Sequence, residues 1–357
     1  MRGLLEETIE KIKPSDKEAM ETAKQKIDNL TKPIGSLGEL ENIAIKIAGI
    51  TGKTKNHIHN KNIIIMCADN GVVEEGVSAC PKDLTTTVTN NFTKNITGVG
   101  VLGTFTNTKL TVVDIGVDSD ALNSFVINKK IAYGTHNIAA GPAMSKEQAI
   151  KAMEIGIEMV DCLVDTGVDL IGTGEMGVGN TTTSIAVLSA LTGLDPSILC
   201  GKGSGLTDMQ FEKKKETIKK AIDLNQPDQE DVIDIISKVG GFDIAGLCGC
   251  FLGAAKNGVP IVIDGLISSI AALCAKRINS NIVDYAFSSH LSAEPGAKYI
   301  LDELGFTAML NLNMRLGEGS GCPLAFNIIE ASLFTMQNMG TFEDANIVND
   351  FLVDIRE

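Results

Sequence analysis

Six short apolar runs most constrain the fold: NIIIMC (62–67), LTVVDI (110–115), DLIGTG (169–174), PIVID (260–264), IVDYAF (282–287) and AMLNL (308–312). Each ends in a glycine-rich or polar turn. Their apolarity is nearly continuous rather than alternating, the pattern of strands covered on both faces, as in a parallel sheet. Helical patterns lie between them, near 84–96, 145–166, 180–192, 208–222, 242–255, 265–277, 292–304 and 321–338. This alternation predicts an α/β fold: a Rossmann-like six-stranded parallel sheet with helices on both faces. Residues 1–60 and 339–357 hold helical patterns and no convincing strand. They are expected to form a small helical domain built from both termini, beside a large α/β domain over 61–338. Ser145 is expected to cap a helix, and Ser36-x-x-Glu39 and Thr207-x-x-Gln210 read as capping boxes.

Composition narrows the class of protein. With no Trp and three Tyr in 357 residues, the core must be built from aliphatic and small side chains. A net charge of −14 argues against a nucleic-acid partner, because phosphate backbones demand a surplus of Lys and Arg. The eight cysteines (Cys67, Cys80, Cys162, Cys200, Cys248, Cys250, Cys274 and Cys322) include no CxxC pair and sit mostly inside apolar runs, as free thiols do in a reducing compartment. The N-terminus lacks an apolar signal core, and the long apolar stretch 244–275 is interrupted by Lys256, Asn257 and Asp264. A soluble cytoplasmic protein with no membrane partner is expected.

In open parallel sheets the ligand sits outside the carboxyl ends of the strands. The segments there are ADNGV, GVD, GEMGVGNTT, DGLIS, SSHLSAE and NMRLGEGSG, rich in glycines, carboxylates and hydroxyls. Gly172, Gly174 and Gly177 match G-x-G-x-x-G after a strand, with Asp195 near the position of a ribose-binding acid, which suggests an NAD-dependent dehydrogenase. Gly98, Gly100 and Gly103 match it too, and Glu175 inside the first match suits a pyrophosphate badly. A monophosphate fits better. Amides freed by Gly177 and Gly179, followed by Asn180 and Thr181 opening a helix, make one anion cradle. GKGSGL (201–206), leading into Lys213, Lys214 and Lys215, makes a second. On its own the lysine run reads first as a solvated helix face.

Eight blocks carry a resemblance: TKPIGSLGELE (31–41), ADNGVVEEGVSACP (68–81), GEMGVGNTT (174–182), GKGSGLTD (201–208), VGGFDIAGLCG (239–249), DGLIS (264–268), SSHLSAEPG (288–296) and MRLGEGSG (314–321). In this order, over almost the whole chain, they resemble the nicotinate-nucleotide:dimethylbenzimidazole phosphoribosyltransferase (CobT) family. The resemblance implies a homodimer that moves phosphoribose from nicotinate mononucleotide to a benzimidazole-like base, giving α-ribazole 5′-phosphate in cobalamin nucleotide-loop synthesis. By position it implies Glu318 as general base, Glu175 as a second acid at the ribose and base site, and Lys214 as a phosphate or ribose contact. It further implies substrate contacts at Gly177, Gly179, Asn180, Thr181, Gly203, Ser204, Gly205, Gly265, Ser292, His290 and Leu316. The leaving nitrogen of the donor is already a quaternary pyridinium and departs neutral, so the reaction needs one base on the acceptor side, with no metal and no cofactor. Gly317 and Gly319 would then let a flat heterocycle lie on bare backbone beside Glu318.

Two positions depart from the family pattern. Thr87 stands where a glutamine usually lines the acceptor pocket, and Cys80 replaces what is often an aromatic residue. Dimethylbenzimidazole, plain benzimidazole, a purine and a phenolic acceptor all stay open. His57 and His59 lie in a polar loop, and of His136 and His290 the latter is the better substrate neighbour. Beside the transferase stand the dehydrogenase reading and a non-catalytic nucleotide-binding sensor or partner subunit.

Overall fold

The computed structural model describes residues 3–201, 205–348 and 352–356. Its sheet has six parallel strands: β1 (Lys61–Ala68), β2 (Lys109–Gly116), β3 (Ile127–Asn128), β4 (Leu170–Met176), β5 (Ile261–Ile263) and β6 (Ala286–Ser288). Their order is β3-β2-β1-β4-β5-β6. The chain builds outward from β1 in one direction, then returns to its other side with β4. The order therefore reverses between β1 and β4, where such sheets open a crevice at their carboxyl edge. Ile63, Ile64, Ile65 and Met66 are wholly buried, which is why this segment shows no polar alternation.

Helices α1 (Leu4–Lys11), α2 (Lys17–Asp28) and α3 (Glu39–Thr51) precede β1; α4 (Leu84–Phe92) and α5 (Gly98–Phe105) link it to β2. Helix α6 (Lys146–Asp165) leads into β4. Helices α7 (Asn180–Thr192), α8 (Pro196–Leu199), α9 (Asp208–Asn225), α10 (Val232–Val239) and α11 (Phe242–Asn257) separate β4 from β5. Helix α12 (Leu266–Ile278) joins β5 to β6, and α13 (Gly296–Leu304) and α14 (Cys322–Asn338) follow. The glycines of α11 allow it to touch α6 backbone to backbone: a Cβ on Gly249 would lie 1.9 Å from the Met153 carbonyl oxygen.

Helices α2 and α3 pack together, and α3 packs on α14. The described parts of both termini meet through a Leu30–Thr341 bridge, an Ile34–Asp354 bridge and an Arg356–Asp28 ion pair. Ile27, Ile43 and Ile47 belong to the same apolar cluster as the sheet core.

Ser145 and Thr207 each form a complete capping box, with Gln148 and Gln210. Ser36 does not: α3 starts at Glu39 behind Gly38, which has a φ of +51° and no side chain to cap with. AMLNL is not a strand. It lies alongside β6 through single bonds such as Leu310 N–H to the Ser289 carbonyl at 3.0 Å, and forms only an isolated bridge. IVDYAF begins as a 3-10 turn over Ser280–Asp284 and becomes extended only at β6. The sixth strand is instead β3, two exposed residues with no apolar run to mark them.

Candidate active site

A cleft of about 250 Å³ opens at the carboxyl ends of β4 and β5. Its walls come from Ser78 and Cys80 after β1, Leu84 and Val88 on α4, 175–181 after β4, 264–268 after β5, and His290, Ser292 and Glu294 after β6. Arg315, Leu316, Gly317 and Glu318 close it from the loop before α14.

Glu318 sits in strained backbone. Gly317, Glu318 and Gly319 have φ of +81°, +63° and +91°, three consecutive residues in the left-handed region that favours glycine. The flanking glycines are also needed for packing. A Cβ on Gly317 would lie 2.5 Å from Glu175 Oε1, and one on Gly319 2.9 Å from Ile63 Cγ2. On its missing-side-chain side the bare backbone is thus pressed against β1 and the end of β4, and Gly317 also lines the cleft. Burial lifts the Glu318 pKa above the usual carboxylate range, opposed by the Val99 and Gly98 amides at the start of α5. Its Oε2 is buried and has no hydrogen-bond partner among the described residues.

Glu175 ends β4 and is buried. Its Oε2 accepts a hydrogen bond from Asn180 Nδ2, and its Oε1 accepts the Glu318 amide at 3.4 Å. Burial and then the Asp243 charge push its pKa up to about 8. Burial likewise raises Asp264 to about 7 and Asp243 to about 6. Each of these groups holds its proton more tightly folded than unfolded. Their stabilising contribution is therefore complete below the ordinary carboxylate range and is lost as the pH rises through about 6, 7 and 8. The thermal midpoint of the ligand-free protein should fall between pH 5 and about 8.5, and Glu175→Gln should flatten the upper part of that slope. Thermal scans across this range check it; a midpoint rising with pH would contradict it.

The lysine run resolves into three environments. Lys215 pairs with Glu212 at 2.7 Å on the surface, and Lys213 is exposed. Lys214 is only 1% exposed. Its ammonium donates to Thr181 Oγ1 at 3.0 Å and to the Gly201 carbonyl at 3.4 Å, and burial lowers its pKa. It stands one hydrogen bond behind the cleft wall, joining both predicted cradles. Gly203 and Ser204 lie outside the described residues, and Gly205 is exposed with a φ of +107°. Gly177 is forced by close approach, since a Cβ there would lie 2.2 Å from the Ala68 carbonyl oxygen. Gly179 caps α7 with a φ of +89°.

His290 is buried and its pKa is lowered, so it is neutral near pH 7. Ser289 Oγ gives its hydrogen to the Asp264 carbonyl at 3.0 Å, so the 2.9 Å contact with His290 Nδ1 requires the imidazole to donate there. Nε2 then carries the lone pair. Ser292 and Gly265 line the cleft.

Thr87 is not brought to the cleft. Leu84 and Val88, one turn apart on α4, face it, whereas Thr87 is rotated to the outer side, exposed, beside Lys82 and Asp118. Cys80 does line the wall. Asp264 and Arg315 escaped the sequence reading; a carboxylate closing the apolar run IVID was the available signal for the first. His57, His59 and His136 are exposed. Among the described residues no group of three or more His, Cys, Asp or Glu side chains is placed to hold a metal ion, and no helix is long and apolar enough to cross a membrane.

The dinucleotide fingerprint fails on its own glycines. The missing side chain of Gly172 faces Cys322 and Ile63, and that of Gly174 faces the Glu318 carbonyl. Asp195 caps α8 through the Ser197 amide at 2.7 Å, and the second match, from Gly98, is α5 itself.

The parallel α/β sheet, the lysine-backed glycine loop and the carboxylate loop over one cleft are the features of an α/β enzyme site, and similar proteins place it among the phosphoribosyltransferases. A family model described as Phosphoribosyltransferase matches residues 12–347. The protein named nicotinate-nucleotide–dimethylbenzimidazole phosphoribosyltransferase from Clostridium tetani is 58% identical over 99% of this chain and 98% of its own. The Acetivibrio thermocellus protein of that name is 52% identical over 96% and 98%. The crystal structure of CobT from Thermus thermophilus superposes with a TM-score of 0.88 at 32% identity, covering 93% of this chain and 99% of that one. The chain belongs to the nicotinate-nucleotide–dimethylbenzimidazole phosphoribosyltransferase family. The dehydrogenase reading has no support in these relatives or in the glycine geometry.

Proposed function

We propose that this enzyme moves 5-phosphoribose from nicotinate mononucleotide to a ring nitrogen of a benzimidazole-type base, with Glu318 as the base. The observation that carries the reading is Glu318 itself, which lines the cleft with its pKa raised by burial and with one carboxylate oxygen, Oε2, that has no hydrogen-bond partner among the described residues. A carboxylate whose pKa is raised is the better proton acceptor, and the N–H of an azole is a proton it can take. The acceptor attacks the ribosyl carbon through its other nitrogen, the bond to the pyridinium breaks, and nicotinate leaves neutral at the ring nitrogen. Attack from the opposite face turns the β donor into an α product, and the acceptor's proton passes to Glu318.

Glu175 is proposed to face the ribose and the positive charge that grows on it. Burial keeps it protonated at neutral pH, and an approaching cation would favour its ionisation. Lys214, behind Thr181 and Gly201, supplies the positive pole for the phosphate, with Gly177, Gly179, Thr181, Gly205, Gly265 and Ser292 around it. His290 and Leu316 are proposed as further substrate neighbours. The side-chain amide of Asn180 is engaged by Glu175 and would serve the site through that acid. Leu84, Val88 and Cys80 give the acceptor an apolar wall with no aromatic side chain.

The working form is proposed to be a homodimer, and residues 1–60 with 339–357 its small helical domain. Val101 and Phe105, one turn apart on α5, are 59% and 77% exposed, and Leu316 lies against the start of that helix at 58%. Such an apolar edge beside a cleft suits a second copy.

Chromatography of nicotinate mononucleotide with the purified protein tests the reading. Nicotinate should appear only when benzimidazole or another acceptor is present, and at an unchanged rate after chelation and dialysis. Acceptor-independent release, or none with any azole, purine or phenol, would overturn it.

A further inference from the structure

We infer that Asp264 is the positioning residue for Glu318: its two carboxylate oxygens hold the loop that carries the base in the single conformation aimed at the acceptor. The inference rests on the reading of Glu318 as the base.

Asp264 Oδ2 accepts the Gly319 amide at 3.0 Å and Oδ1 accepts the Gly321 amide at 2.7 Å. Both amides lie immediately beyond Glu318, in a loop with three successive left-handed residues. Backbone of this kind persists only where its surroundings over-determine it. Within the loop, the Ser320 amide reaches the Gly317 carbonyl at 3.0 Å and the Cys322 amide the Gly319 carbonyl at 3.1 Å. These are local turns that fix shape without fixing direction. Direction has to come from outside, and Asp264 supplies it from the rigid end of β5. Asp264 is itself fixed on both sides: its amide bonds Ser268 Oγ at 3.2 Å, and its carbonyl accepts from Ser289 Oγ at 3.0 Å. The groups facing its carboxyl are the Glu318 and Glu175 carboxyls, His290 Nδ1 at 4.0 Å from Oδ1, and the Cys322 thiol. A buried carboxyl group with two backbone donors is specific in a way that a hydrophobic contact is not. Each amide must arrive at its own oxygen, so a rotated loop loses both bonds.

Asp264→Asn offers one acceptor and one donor in the same shape, satisfying one amide and setting N–H against N–H at the other. A displacement of the base by about 1 Å costs up to about 10²-fold in rate. The variant should therefore lose roughly 10- to 100-fold in kcat, with KM for nicotinate mononucleotide within about threefold of wild type. Glu318→Gln run in parallel separates the two ideas. Turnover kept in Glu318→Gln would remove the base, whereas collapse of Glu318→Gln with kcat unchanged in Asp264→Asn would remove the anchor alone. Should Asp264→Asn not fold, hydrogen exchange of the wild-type enzyme decides. Amides of 317–321 should exchange slowly and together, and exchange as rapid as in an open loop would overturn the inference.

Discussion

Glu318→Gln should lower kcat by roughly 10²- to 10⁴-fold, the range a positioned general base supplies. The substitution keeps shape, size and the left-handed backbone, and removes only the ability to take a proton. Burial already disfavours the ionised carboxylate in the folded protein, so a neutral amide there should leave the thermal midpoint equal or slightly higher. Loss of turnover with an undiminished midpoint is the expected pair of results, read from initial rates at saturating acceptor and a thermal scan. Because the leaving pyridinium needs no acid, no second residue should rescue the variant at low pH. Turnover within about threefold of wild type would take Glu318 out of the role.

Lys214→Met is expected to have the next largest effect, on the donor side. The ammonium is buried and bonded to Thr181 Oγ1 and the Gly201 carbonyl, and methionine fills nearly the same volume without charge. Hydrogen bonds to a charged group contribute about 1.5–3 kcal/mol, so kcat/KM for nicotinate mononucleotide should fall roughly 10- to 150-fold. Most of it should appear as a raised donor KM, with KM for the acceptor unchanged. Inorganic phosphate should also inhibit the variant more weakly than the wild type. A loss shared equally by both substrates, or undiminished inhibition by phosphate, would place Lys214 in the fold rather than at the phosphate.

Legibility of the site followed how local its causes were. The segments that hold Glu318 and Glu175 stood out because glycines that follow apolar runs mark backbone that must bend sharply or be approached closely, whereas the roles of Glu318, Glu175 and Lys214 came from the family resemblance. Which of three consecutive lysines mattered was not visible in the run itself. It follows from the rotation of α9 against α7, which buries Lys214 and leaves its neighbours in solvent. Thr87 was placed by motif alignment, but the rotation of α4 turns Leu84 and Val88 to the cleft instead. Asp264 was hidden because its partners are backbone amides 55 and 57 residues further on, a pairing with no periodicity.

The sequence by itself determined the parallel α/β class, the edge of the sheet that carries the chemistry, and most helix spans, because hydrophobic periodicity and capping act over one or two turns. Tertiary structure alone decided the sixth strand, the inward member of the lysine run, and the shared burial that lifts the Glu175, Asp243 and Asp264 pKa values together. Those outcomes depend on desolvation and on contacts between segments far apart in the chain, and no short stretch of residues encodes either.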